Sequence, residues 1–211
     1  MIKKIIFGIE ELTFTEYQPT KITMKNKPIY LPILLILMSV GTNCVNKKTA
    51  SQAEAFFQLL KNSPSKIEDA QGNVISTDQL IVERKREGNI CKTTVRNIGN
   101  APLLPANIIQ FDLLDHGLDP KCPVYGEGFH MLAQNGGTLD SLRNIGPYPD
   151  SKHYRIPNLH GLTTAYGVLA ISTKSDDHLL LGFTSCRHFI GRISCDAHQL
   201  LISFDAEGMA V

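Results

Sequence analysis

The sequence predicts a mainly β protein with the architecture of an antiparallel β-sandwich. Short runs rich in β-branched and aromatic residues recur from residue 80 onward. No amphipathic helix of about 10 to 15 residues separates these runs, although the crossover of a parallel sheet needs such a helix. In addition, 43% of the 211 residues are hydrophobic, which is enough for one packed core.

The pattern of apolar residues predicts about eight strands. We expect them at residues 80–86, 90–98, 108–114, 125–133, 166–172, 178–184, 189–195 and 200–204. The first two runs flank Glu87-Gly88-Asn89, which is typical of a hairpin turn.

One short helix is predicted before the strands. Ser51 and Glu54 are spaced as a capping box, and apolar residues follow at helical spacing up to Asn62. These apolar residues are Ala53, Phe56, Phe57 and Leu60. We therefore expect residues 44–77 to form a tether with this helix, and residues 78–211 to form the sandwich.

The segment 24–43 has the pattern of a signal peptide. Lys25 and Lys27 precede an apolar run at 29–40, and these 12 residues are too few to span a bilayer of ~30 Å as a helix. Because the pattern starts inside the chain, we interpret Met24 as the initiator and residues 1–23 as an upstream extension.

A lipid attachment site is predicted at Cys44. Gly41-Thr42-Asn43-Cys44 resembles the cleavage site of bacterial lipoproteins, although Asn43 departs from the small residue usual at that position. Ordinary signal cleavage and an uncleaved anchor are the alternatives. The prediction is an exported protein, in the periplasm or on the outer membrane of a Gram-negative bacterium, held at the membrane through Cys44 if it is lipidated.

Charge and motifs exclude several classes of function. The formal net charge is +1 and no aromatic-interleaved basic patch occurs, so no nucleic acid partner is expected. Neither G-x-S-x-G nor H-E-x-x-H occurs, and no glycine-rich phosphate loop is present. We expect no cofactor.

Two Cys and His pairs near the chain end have three interpretations. Cys186 with His188 and Cys195 with His198 could supply four zinc ligands, but their spacing is unlike that of a known zinc knuckle. A disulfide between the two cysteines or two free thiols are the alternatives, and we predict free thiols and no metal. Cys91 and Cys122 are interpreted as packing residues or unpaired thiols.

The segment 124–154 is the main candidate for a functional surface. A β-like run places Phe129, Met131 and Ala133 on one face, and Asn135-Gly136-Gly137 predicts a turn. No period follows until about Tyr166, and ordered connections of this length tend to be functional or to contact a partner. Gly126-Glu127-Gly128 fits either a ligand-facing acid or a tight bend.

Three blocks of sequence carry a resemblance to a family. They are G-E-G-F-H-M-L-A-Q-N-G-G-T-L at 126–139, I-G-P-Y-P-D-S-K-H-Y-R-I-P at 145–157 and H-L-L-L-G-F-T-S-C-R-H-F-I-G-R-I at 178–193. Residues 78–208 thereby resemble the N-terminal region of exported bacterial α-galactosidases of the melibiase group of glycoside hydrolases. The resemblance implies a large galactosidase-type β-sandwich that precedes a β/α barrel, which carries a retaining mechanism on two Asp residues.

The resemblance assigns no catalytic residue to this chain. A barrel takes ~250 residues, and the helix and the strands already use the residues after Asn43. We therefore expect a truncated product. It would bind galactosides only through the missing catalytic domain. We expect the long connection to lie where sandwich and barrel would meet. The candidates for the rim of the sugar pocket, or for domain docking alone, are Glu127, Gln134, Asp150, His153 and Tyr154.

Three classes of function remain open from the sequence. The leading one is the non-catalytic accessory domain of an α-galactosidase-like hydrolase. The second is an exported carbohydrate-binding or adhesion module, although the absence of Trp removes the broadest sugar-stacking side chain. The third is a scaffold without a ligand.

Overall fold

The computed structural model describes residues 4–7, 52–76, 78–130, 132–156, 159–174, 177–184 and 189–206. It contains the strands β1 (Lys4–Phe7), β2 (Lys66–Glu68), β3 (Leu80–Glu87), β4 (Ile90–Asn97), β5 (Asn107–Leu114), β6 (Pro123–Glu127), β7 (Gln134–Thr138), β8 (Ser141–Asn144), β9 (Thr163–Tyr166), β10 (Val168–Ser172), β11 (His178–Gly182), β12 (Ile190–Cys195) and β13 (Gln199–Asp205). The helices are α1 (Gln52–Asn62), α2 (Asp150–His153) and a 3-10 turn at Leu159–Gly161.

Two sheets and a separate hairpin make up the fold. The six-stranded sheet has the order β1, β11, β10, β6, β7, β8, and the five-stranded sheet has the order β2, β5, β13, β12, β9. The hairpin consists of β3 and β4. Only β1 with β11 is parallel among the described strand pairs. The predicted mainly β, antiparallel fold is confirmed.

One buried apolar cluster joins the two sheets. From the six-stranded sheet it takes Val124, Leu169, Ile171, Leu179 and Leu181, and from the five-stranded sheet Ile108, Phe111, Ile193, Leu200, Ile202 and Phe204. Alternation along the strands explains this division, because every second side chain points to the same face of a sheet. The shared cluster is the core of the sandwich.

Helix α1 confirms the prediction of a short helix before the strands. Phe56, Phe57 and Leu60 are buried and belong to the core, as their helical spacing requires. The helix ends at Asn62, and the Ser63 hydroxyl accepts a hydrogen bond from the Asp112 N–H at 2.8 Å. This bond attaches the end of the helix to β5.

The predicted hairpin at residues 80–98 is also confirmed. Glu87 pairs with Ile90 across a loop of two residues, and Gly88 has a φ of +62°. Tight hairpin turns need a positive φ at this place, which glycine adopts without strain. One face of β4 is buried, and it carries Cys91, Thr93 and Val95. This face of the hairpin packs over α1 and β5.

The predicted turn at Asn135-Gly136-Gly137 is wrong, since these residues lie inside β7. The chain turns earlier, where the Gly128 N–H donates to the Ala133 carbonyl at 2.6 Å. Phe129 is consequently exposed while Ala133 is buried, so the predicted single strand at 125–133 is wrong as well. Gly137 serves close packing, because a Cβ there would lie 2.4 Å from the Ser141 carbonyl oxygen.

The connection predicted to be irregular contains regular structure. Strand β8 pairs with β7, and β9 pairs with β12. The sequences of β7 and β8 are rich in Gly and Asn, which have low β propensity, so the pattern did not reveal them. Strand β2 was likewise missed, and it pairs with β5 from within the segment predicted as a tether.

The predicted signal peptide at 24–43 and Cys44 lie outside the described residues. Of the predicted upstream extension, only β1 is described, and it pairs with β11. None of the helices in the described part of the chain is long and apolar enough to cross a membrane.

Candidate functional site

The structure brings the five predicted site residues to one end of the sandwich. Glu127 ends β6 and faces Gln134 of β7 as its cross-strand partner. Asp150 and His153 lie on α2, and Tyr154 follows directly. A turn at 128–133 joins β6 to β7, and its residues Phe129 and His130 contact the α2 segment. The turn thereby connects the strand pair that carries Glu127 and Gln134 to the segment that carries the other three candidates.

Close packing explains the glycines on either side of Glu127. A Cβ at Gly128 would lie 2.3 Å from the Cβ of Ala133, and a Cβ at Gly126 would lie 2.7 Å from the Cβ of Ala165. These distances are shorter than any tolerated contact, so the turn closes only with glycine. Glu127 itself is exposed between the two glycines. The geometry is therefore compatible with both interpretations of Gly126-Glu127-Gly128, a ligand-facing acid and a tight bend.

Asp150 ties the α2 segment to this turn. Its Oδ2 accepts the Phe129 N–H at 2.6 Å. Its Oδ1 lies 3.9 Å from Nε2 of His130, and both of these atoms are buried without a hydrogen-bond partner. Buried polar atoms are nearly always hydrogen-bonded in folded proteins, so this pair is a local exception.

Aromatic rings from the turn and the α2 segment pack edge to face. The centroids of His130 and Tyr154 are 4.9 Å apart, and Phe129 lies 5.9 Å from Tyr154 and 5.5 Å from Tyr166. Tyr148 extends the cluster through His153 at 5.2 Å. Such pairs contribute about 0.5–1.5 kcal/mol each beyond the burial of area. The cluster fixes the two segments against each other.

Much of this cluster is nevertheless open to solvent. Of the 11 large hydrophobic side chains that are exposed in the described residues, six lie between residues 125 and 154, and these six include all four exposed aromatic ones. We call this surface the aromatic rim, and it consists of Tyr125, Phe129, Leu132, Ile145, Tyr148 and Tyr154. A concentration of exposed apolar side chains is typical of a binding surface.

Two clefts border the aromatic rim. The rim cleft, of about 470 Å³, is lined among others by Tyr125, Glu127, Phe129, Gln134 and Tyr166. The side cleft, of about 260 Å³, lies on the other side of Tyr166 and is lined by Asn135, Asp150 and Thr164 among others. Burial raises the pKa of the Tyr166 hydroxyl, so it remains a neutral donor. The rim cleft falls within the usual size of small-molecule sites.

Of the two Cys and His pairs, the structure describes Cys195 with His198, and these two side chains differ sharply in exposure. Cys195 is fully buried with a free thiol whose pKa burial raises to about 12, whereas the His198 side chain is 83% exposed. No group of three or more His, Cys, Asp or Glu side chains could hold a metal ion among the described residues. Cys186 and His188 lie outside them. Cys91 and Cys122 are buried free thiols, as predicted.

No protein-family model matches the chain, and no curated protein or solved structure shows significant similarity to it. The resemblance to α-galactosidases stays a prediction that rests on the three quoted blocks of sequence.

Three residues of the site were missed by the sequence reasoning. His130 and Tyr166 lie beside the predicted residues, and Phe129 was expected within a strand, on the same face as Ala133. The close spacing of Gly126 and Gly128 was the available signal, because two glycines beside one carboxylate also predict a tight turn. The turn is what exposes Phe129.

Proposed function

We propose that the chain is the non-catalytic β-sandwich domain of an α-galactosidase-like glycoside hydrolase, and that its aromatic rim docks the β/α-barrel catalytic domain. The observation that supports docking most directly is the concentration of exposed aromatic side chains at residues 125–154. Burying such side chains between two domains removes apolar surface from water, which stabilises the contact. The galactoside specificity comes from the resemblance alone.

The roles of the carboxylates at the aromatic rim fit binding better than cleavage. Retaining hydrolysis needs two carboxyl groups about 5–5.5 Å apart, one as nucleophile and one as acid and base. Asp150 uses one oxygen to hold the Phe129 N–H. Glu127 lies exposed at the mouth of the rim cleft. In the proposed enzyme, both reacting carboxylates belong to the barrel.

The docking proposal can be tested with the catalytic barrel of an α-galactosidase expressed without its own β-sandwich. The purified chain alone should not release nitrophenol from an aryl α-galactoside. Added to the barrel, it should associate in sedimentation and raise the activity. Tyr154→Ala should weaken the association, because the side chain lies at the centre of the ring cluster.

A matched control is Leu104→Ala, which removes an exposed apolar side chain outside the aromatic rim and should leave association unchanged. Hydrolysis by the chain alone, or equal effects of the two variants, would contradict the proposal. Glu127→Ala distinguishes the two roles predicted for the candidates. A change in KM for the galactoside places Glu127 at the sugar pocket, and an effect on association alone places it in the domain contact.

Direct saccharide binding is the second candidate function, and the rim cleft favours it. Tyr125, Phe129 and Tyr166 line this cleft together with the carboxylate of Glu127 and the amide of Gln134. Aromatic side chains can pack on a sugar ring, while planar polar groups bind its hydroxyls. Titration of the chain with galactose and melibiose, followed by NMR, should then show saturable shifts that Phe129→Ala abolishes and Leu104→Ala preserves.

We also propose that the protein is exported and anchored through a lipidated Cys44. The support is the sequence pattern at 24–44. Expression in a Gram-negative host should give membrane-bound protein whose first mature residue is an acylated Cys44 by mass spectrometry. Cys44→Ser should release the protein from the membrane fraction. Unmodified Cys44 in an exported protein would contradict lipidation but not export.

A further inference from the structure

A third cavity lies outside the aromatic rim, between α1, the β3–β4 hairpin and β5. We call it the helix–hairpin cavity, and its volume is about 400 Å³. It is lined by Phe57, Leu60, Lys61, Arg84, Arg86, Cys91 and Phe111. Sites for small ligands usually occupy 300–1,000 Å³, roughly, so the cavity is large enough for one. Nothing in the proposed function uses it.

The inner part of this cavity is apolar. Leu60 and Phe111 are buried members of the core, and the Cys91 thiol is buried beside them. Burial raises the pKa of Cys91, so the thiol stays neutral and adds no charge. A hydrocarbon or aryl group that entered this part would lose contact with water at little polar cost.

The charged side chains of the helix–hairpin cavity all have the same sign. Lys61, Arg84 and Arg86 line it, and none of its seven lining residues is acidic. Alternation along β3 explains this, because its glutamates and Lys85 point to the opposite face, where Lys85 pairs with Glu87 at 2.9 Å. The cavity is therefore apolar at its base and positively charged at its side.

Arg84 is the most informative of the three cations, because it is half-buried and none of the described carboxylates pairs with it. Its Nη1 donates to the Gln110 carbonyl at 3.0 Å, and its Nη2 donates to the Ser63 carbonyl. The guanidinium also lies over the Phe111 ring at 5.0 Å from the centroid. In the described residues no acidic group forms an ion pair with it, and burial accordingly lowers its pKa.

Within the described residues, these contacts leave part of the guanidinium without a protein acceptor. Arg has five N–H groups, and the two carbonyl bonds use only two of them. Because Arg84 is half-buried, its remaining N–H groups are open to a ligand that enters from solvent. A carboxylate matches the planar fork of an arginine and can accept two parallel bonds.

We propose that the helix–hairpin cavity binds an amphipathic carboxylate, with its apolar part against Leu60 and Phe111 and its carboxylate on Arg84. A neutral ligand would leave the charge of Arg84 uncompensated. A small polar anion would leave the apolar base of the cavity unfilled. The class that satisfies both parts is a carboxylic acid with an alkyl or aryl tail, and this inference is independent of the proposed function.

The first test titrates the protein with decanoate and follows backbone amides by NMR. Decanol has the same tail without the charge, and acetate has the same head without the tail. Decanoate should bind saturably, with shifts at the end of α1, in β3 and β4 and at Phe111. Decanol and acetate should each bind at least about tenfold more weakly, since each loses one half of the recognition.

A pair of arginine variants separates the specific charge from general attraction. Arg84→Gln should weaken decanoate binding about tenfold or more, because it removes the charged donor at the cavity. Arg96→Gln removes a charge from the same hairpin on its exposed, opposite face and should bind decanoate as the wild type does. Equal affinities of the two variants would overturn the proposal.

Cys91 provides a readout in the wild-type protein, which does not depend on whether Arg84→Gln folds. Decanoate should slow alkylation of Cys91 by iodoacetamide, while alkylation of Cys122, a buried thiol outside the cavity, should be unchanged. Unprotected Cys91 at saturating decanoate, or NMR shifts confined to the aromatic rim, would reject the cavity as the site. Binding to anionic lipid vesicles without binding to free decanoate would reject the ligand class.

Discussion

The five-stranded sheet and the aromatic rim treat their apolar side chains in opposite ways. In β13, Leu200, Leu201, Ile202 and Phe204 are all buried, on both faces of the sheet. In the aromatic rim, the apolar side chains are 42–52% exposed although Phe129 and Tyr154 contact each other. Both regions of the sandwich contain apolar side chains. The presence of such side chains therefore does not explain why they are buried in one region and exposed in the other.

This contrast separates residues that stabilise the fold from residues that are available to a partner. A side chain that is already buried gains nothing from a partner, whereas a half-exposed ring can still lose water contact on binding. The ring cluster around Tyr154 holds such surfaces in a defined arrangement before any partner arrives. Preorganisation of this kind lowers the entropic cost of association.

The largest effect should come from truncation inside the sheet. Leu200→Ala removes a fully buried side chain between the two sheets and should lower the free energy of unfolding by about 2–5 kcal/mol. Phe129→Ala in the aromatic rim removes a larger side chain that is 43% exposed, and should cost about 1 kcal/mol. Urea unfolding of both variants measures the difference. Similar losses would mean that the aromatic rim is part of the core.

The next effect tests whether the turn at 128–133 holds the aromatic rim in place. Gly128→Ala places a Cβ against Ala133 and should destabilise the protein by about 1–3 kcal/mol. The amide resonances of Phe129 and His130 should shift strongly. Ser151→Ala, at an exposed position of α2, is the control and should change neither quantity. An unchanged turn in Gly128→Ala would show that the close approach is not required.

The sequence was sufficient for the elements whose pattern is local. Strands at 80–86, 108–114 and 200–204 and the helix before them follow from alternation or helical spacing within a few residues. Burial in the core repeats these periods directly, as in β4, where buried and partly exposed residues alternate. Such elements carry their own signal because the period lies within the element itself and does not depend on a distant segment.

The elements that the sequence did not reveal depend on contacts between distant residues. Gly137 needs to be a glycine because of the Ser141 carbonyl on the neighbouring strand, which a Cβ would approach to 2.4 Å. A glycine required by a neighbouring segment has the same appearance in a sequence as a glycine required by a turn. This ambiguity is why β7 was taken for a turn.

The candidate site shows the same division. The structure places the candidates Glu127, Gln134, Asp150, His153 and Tyr154 together at one end of the sandwich. The contact between His130 and Asp150 could not be foreseen, because it forms only after the turn brings residue 130 toward α2. Which residues meet is decided by the turn and not by their spacing.

A smaller effect is expected at the tie between the turn and α2. Asp150→Asn replaces a charged acceptor of the Phe129 N–H by a neutral one and should cost about 1 kcal/mol. Urea unfolding measures the loss, and the amide proton of Phe129 should exchange faster. Asp78→Asn, at an exposed position outside the aromatic rim, should have no effect on either. Unchanged exchange at Phe129 would remove Asp150 from this role.

The smallest effect concerns a charged group on the five-stranded sheet. Burial alone would raise the pKa of Asp112, but hydrogen bonds from Lys66 and Gln199 and the charge of Lys66 outweigh it and hold the pKa below its ordinary value of 3.8. A carboxyl with a lowered pKa in the folded state stabilises the protein above its ordinary pKa and loses this contribution as the pH falls through the lower, folded value. Stability should therefore decrease on acidification below about pH 4.

Asp112→Asn isolates this contribution of the sheet. The variant should lose about 0.5 kcal/mol at pH 7 and should show a weaker loss of stability between pH 5 and pH 3, roughly, than the wild type. Thermal unfolding at a series of pH values provides the measurement. If Asp112→Asn kept the full acid sensitivity of the wild type, the Lys66–Asp112 pair would not be its source, because removing a titrating carboxyl removes its share of the proton uptake.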